Sequence, residues 1–115
     1  GGAASTAPGV SQGLGANNAT GDVVVGKVAT QADTNLSQVP VTITNHSSKR
    51  SDYFVTVALE SADGKTQIDT STVIVQNLEP GQGTVQTGDF LATMTTAPPA
   101  GAKVVLQSVQ RTSSN

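Results

Sequence analysis

In Val39–Thr44, and again in Tyr53–Glu60, side chains alternate between two faces, and the period is that of a half-buried β-strand. Val39, Val41 and Ile43 share one face, with Pro40, Thr42 and Thr44 on the other. Pro40 has no N–H for a ladder, so it predicts that this strand starts at a sheet edge or unpaired. After "HSSKRSD" the alternation resumes, with Tyr53, Val55, Val57 and Leu59 inward and Phe54, Thr56, Ala58 and Glu60 outward. The Asp63-Gly64 pair suits a hairpin turn that needs positive φ. "KTQIDTSTVIVQNL" holds one or two strands, with Val73 and Val75 sharing a face, and "LEPGQG" is a second turn. "TVQTGDFLATM" is a weaker strand, "TTAPPAGA" a rigid loop, and "KVVLQSVQR" a final strand before the polar "TSSN". At the other end, "DVVVGKVAT" is a short Val-rich run in which Gly26 marks a bulge or a close approach of backbone. No segment keeps the 3.6-residue period of a helix. The pattern predicts an all-β chain, an antiparallel β-sandwich of six to eight strands.

Residues 1–21 lack this texture. "GGAASTAPGVSQGLGANNATG" has almost no bulky apolar side chains, so it cannot offset the entropy of ordering and reads as a flexible tether. The predicted organisation is therefore a tether over 1–21, a sandwich over 22–111 and a polar tail over 112–115. Composition sharpens this. Hydrophobic residues make up 36 % and aromatics only 3 %, so the core must be aliphatic and chiefly Val. Charged residues are 12 %, about half the usual share. A net charge of -2 gives no electrostatic footing for nucleic acid. With 0 Cys, disulfides, thiolate chemistry and Cys-ligated zinc are excluded together. No apolar run reaches the roughly 20 residues of a membrane-spanning helix.

The order of segments carries a resemblance. An alternating strand ends in "VTITNHSS", a second runs "YFVTVALESADGK", a Val-rich strand leads into "LEPGQ", and a Phe-bearing strand precedes "VVLQSVQR". Over about 23–111 this resembles the immunoglobulin-like sandwiches of bacterial envelope lipoproteins typified by the FxLYD family. The resemblance implies an immunoglobulin-like fold and a non-catalytic domain that is exported or held at the cell surface. It transfers no functional residue. A Gly-, Ala-, Ser- and Thr-rich start without Met resembles the tether that follows a lipidated Cys. Membrane association is then expected only through an anchor outside this chain.

Candidate chemistry is sparse. "GVSQG" has the G-x-S-x-G spacing of a nucleophile elbow, but Ser11 has neither the preceding strand nor the following helix that the motif requires. His46 is the only His, and one ligand falls short of the three or four that zinc takes; Asp52 is the nearest second donor. Glu60, Asp63, Asp69 and Glu79 sit near turns, without the dense alternation of a calcium loop. Paired carboxylates across a sugar cleft, and aromatic platforms for a glycan beyond Tyr53, Phe54 and Phe90, have little support. Asn18 and Asn45 begin N-glycosylation sequons, relevant only to a eukaryotic secretory product.

No enzyme and no cofactor or metal is expected. What stands out is the stretch His46–Phe54, which concentrates the single His, the single Tyr, one of 2 Phe and the Lys49-Arg50 step. Loops at the ends of a rigid scaffold carry binding residues, and Arg is enriched at interface hot spots. The expectation is a binding module that meets a protein partner through His46, Lys49, Arg50 and Phe54. The alternative is an architectural spacer or self-assembling structural subunit of the cell envelope or of a surface or virion particle, whose edge strands pair with neighbours.

Overall fold

The structure, a computed structural model, describes residues 19–114. Ser11 and Asn18 lie outside the described residues. The chain is all-β, with two antiparallel sheets enclosing one core and no α-helix among the described residues. The strands are β1 (Val23–Val25), β2 (Ala29–Thr30), β3 (Ser37–Thr44), β4 (Ser51–Glu60), β5 (Gln67–Leu78), β6 (Gly83–Phe90) and β7 (Lys103–Ser113). Single 3-10 turns precede β1 (Thr20–Asp22) and follow β6 (Leu91–Met94).

In the first sheet β3 is central. β6 pairs along one side of it, and β1 and β2 follow one another along the other. In the second sheet β4 is central, between β5 and β7. The alternation of β3 and β4 does what it predicts. Val39, Val41 and Ile43 face Tyr53, Val55, Val57 and Leu59 in a core completed by Phe90, Leu106 and Val109, and all of these are buried. Each such side chain taken out of water contributes about 1.5–3 kcal/mol.

Four expectations change. β3 is a central strand despite Pro40. The Pro40 carbonyl accepts from the Gly26 amide at 2.8 Å, so residue 40 faces the β1–β2 side, where that neighbour is interrupted. The missing N–H therefore falls opposite a break and costs no ladder bond. The break needs Gly26, because a Cβ there would stand 2.6 Å from Pro40 Cγ; Gly26 is indeed a close-approach point. Ala58, predicted outward, is fully buried beyond the register shift between Thr56 and Val57, where it pairs with Thr70 and Val105. The folded body also reaches further than 22–111. Ala19 is buried in the core, so residues 19–21 belong to it rather than to the tether. Thr112 and Ser113 continue β7 opposite Asp52 and Ser51, where a polar tail was expected.

Candidate functional site

The loop joining β3 to β4 covers 45–50 and carries the chain from one sheet to the other. Its base is Asn45, fully buried, with every side-chain group used. Asn45 Nδ2 donates to the Lys49 and Leu78 carbonyls at 2.8 Å each, and Oδ1 accepts from the Ser47 amide and hydroxyl at 2.8 and 2.6 Å. Its backbone bonds Gln82 and Gly81, tying the loop to the turn before β6. The Ser51 hydroxyl donates back to the Lys49 carbonyl at 2.7 Å. The Asn45 amide is therefore sealed inside the fold, and the second sequon is closed to a glycan.

His46 follows, and its partner is Asp22, not Asp52. Asp22 is held by the short turn before β1, where its amide donates to the Ala19 carbonyl. Because Val23 pairs with Ile43, Asp22 lies beside the start of the loop. The carboxylate is 5 % exposed and is met by three side chains. Oδ1 receives His46 Nδ1 at 2.8 Å; Oδ2 receives the Tyr53 hydroxyl at 2.6 Å and Arg111 Nη1 at 2.8 Å. An ionised carboxylate only accepts, so His46 Nδ1 carries the proton. Tyr53 points inward from β4, and Arg111 is its register partner in β7. One residue ahead of the first strand is thereby fastened to two strands of the opposite sheet.

Burial alone would raise the Asp22 pKa, but donation by Tyr53, Arg111 and His46 outweighs it and holds the carboxyl below its ordinary value. Burial, and then the Asp22 anion, push the Tyr53 phenol up. Burial opposes the charge of Arg111, yet Asp22 overrides it and raises its pKa.

A carboxylate-oriented His suits general-base or metal chemistry if its second nitrogen meets a nucleophile or an ion. Among the described residues the His46 ring bonds no hydroxyl, and no three His, Cys, Asp or Glu side chains converge as a metal site. Asp52, the expected second donor, instead accepts from the Asn77 amide at 2.9 Å and the Ser114 hydroxyl at 2.6 Å. Asp63 Oδ1 closes its turn with Ser61 and Lys65, and Asp69 accepts from the Thr70 and Ala92 amides. These carboxylates serve turns and strand ends.

The four predicted contact residues divide. His46, 63 % exposed, and Lys49 and Arg50 stand on the loop, the last two beside Glu79 and Pro80 in a shallow depression. Phe54 projects from the outer face of β4, 46 % exposed, against its cross-strand neighbour Ile74. A larger depression, about 550 Å³, lies between the β1–β2 break and the start of β7 and contains none of the candidate residues. Sequence reasoning missed Asp22 and Arg111. One signal for them existed: an inward Tyr needs a partner for its hydroxyl. Comparison with family models, curated proteins and solved structures finds no match to the chain.

Proposed function

We propose that the chain is a non-catalytic, exported or cell-surface module of immunoglobulin-like type that binds a protein partner through the 45–50 loop. The observation that carries this reading is how the loop meets its own hydrogen-bond demand. Asn45, Ser47, Ser51 and the Lys49 carbonyl satisfy one another internally, and His46 is fixed on a buried carboxylate. Lys49 and Arg50 thus project from a base that is already ordered, which reduces the entropy lost on association. The immunoglobulin-like assignment is supported by strands that cross between the sheets at β3–β4, β5–β6 and β6–β7.

The test replaces His46→Ala, Lys49→Glu and Arg50→Glu together in the full chain and compares capture of surface proteins from the source cells with that of wild type. We expect the captured partner to be lost while the melting temperature stays within a few degrees. Equal capture by the triple variant overturns the loop as the binding surface.

A further inference from the structure

Among the described residues β5 is an edge strand of a kind that folded proteins seldom leave bare. An open edge offers unpaired N–H and C=O groups to any passing strand, and natural edges are blunted by charge, Pro, bulges or brevity. From Thr70 to Leu78 this strand has no charged residue and no Pro. Other edges are protected. β1 and β2 are three and two residues long, with Lys27 in the break between them. β6 carries Asp89 and two glycines, Gly83 and Gly88. β7 carries Lys103 and Arg111, charges of the kind that blunt an edge.

The geometry points to the β5 edge as the interface with a second copy of this chain, the two β5 strands running antiparallel about a two-fold axis at Ile74. The edge is self-complementary, as an isologous contact requires of a single patch. A two-fold at Ile74 opposes Thr72 to Gln76 of the second copy, Val73 to Val75, and Ile74 to itself. On the inner face this sets buried Val73 against buried Val75, and the two cores become neighbours. On the outer face Ile74, 58 % exposed, meets its copy, and Phe54 lies one strand further in on each side. A four-residue apolar row, Phe54–Ile74–Ile74–Phe54, then crosses a continuous six-stranded sheet. No like charges meet within the paired stretch. Asn77, with φ of 58°, bends the strand away after Gln76, so Glu79 does not come to lie opposite Asp69. The inference is independent of the loop reading, since Ile74 is not a loop residue.

The test uses the full chain, which has 0 Cys. Sedimentation velocity should show a concentration-dependent dimer, and Ile74→Lys should make it a monomer that still folds, because that side chain is exposed. Residues facing each other across an antiparallel pair have Cα atoms about 4.5–5.5 Å apart, within the Cα range that a disulfide spans. Ile74→Cys should therefore cross-link under mild oxidation at least about tenfold faster than Val85→Cys, an equally exposed control on the other sheet, as a preformed contact raises effective concentration. The loop triple variant should dimerise like wild type. A monomer at the highest attainable concentration overturns the inference, as does Ile74→Cys cross-linking no faster than Val85→Cys.

Discussion

Asp22 is the buried carboxylate on which His46, Tyr53 and Arg111 converge. Removing one member of a buried ionic group costs more than the group contributes net, because its partners remain buried and unpaired. Asp22→Ala strands the buried Tyr53 hydroxyl and takes the carboxylate from Arg111 and His46, so we expect a loss of about 3–5 kcal/mol in urea denaturation. Tyr53→Phe leaves the carboxylate with His46 and Arg111 and should cost about 2 kcal/mol. The sign of the pH dependence follows from the direction of the Asp22 shift. With the folded pKa below the ordinary 3.8, its contribution is complete above that value and disappears as pH falls through the lower folded one. Tyr53 works at the other end of the scale. Its raised pKa means that stability present below the ordinary 10.0 is lost as pH rises further. The chain has 1 Tyr and 0 Trp, so tyrosinate absorbance reports this group alone; it should appear cooperatively with unfolding rather than as a simple titration near 10.0. Tyr53 could be placed in the core by alternation. Asp22 could not, because nothing in "ATGDVV" distinguishes it from a solvated carboxylate, and its partners lie far along the chain.

At the level of the strand, Pro40 and Gly26 form one device. Proline in a central strand is tolerated because the neighbouring strand breaks there, and the break is possible because residue 26 has no Cβ. Gly26→Ala should lower stability by about 1–3 kcal/mol through overpacking against Pro40 Cγ. Pro40→Ala in the same chain should recover part of that loss, a coupling that a double-mutant cycle in chemical denaturation would measure. Elements whose pattern is strict were legible, and β3 and β4 are the clearest cases. Elements whose form depends on a partner strand were not. "DVVVGKVAT" reads as one run but splits into β1 and β2 because of what Pro40 does across the sheet. Ala58 obeys alternation in the sequence and yet is buried, between Thr70 of β5 and Val105 of β7 in register.

For the molecule as a whole, the boundary of the fold is a thermodynamic question. Composition places it at residue 22, whereas burial places it at or before Ala19. Truncation to begin at Ala19 retains both Ala19 and Asp22; truncation to begin at Val23 removes both. The second should melt well below the first in calorimetry, by about 10 °C or more if Asp22 contributes 3 kcal/mol in a domain of this size. Equal melting temperatures would return the boundary to where composition put it. The candidate binding loop was likewise legible only in part. His46, Lys49 and Arg50 share the loop, but Phe54, adjacent in sequence, belongs to the outer face of a sheet, because parity sends it there.

The contact between Asp22 and Arg111 spans 89 positions, and that between Asp22 and Tyr53 spans 31. Contacts so distant in sequence close only after both sheets have formed, since the entropy of bringing the ends together is lost before the contacts compensate it. The cluster should then be absent from the rate-limiting barrier and act as a late fastening. Asp22→Ala is expected to leave the folding rate almost unchanged in stopped-flow measurements and to speed unfolding by about two to three orders of magnitude or more. What the buried carboxylate confers is persistence: the native state, once made, is slow to open.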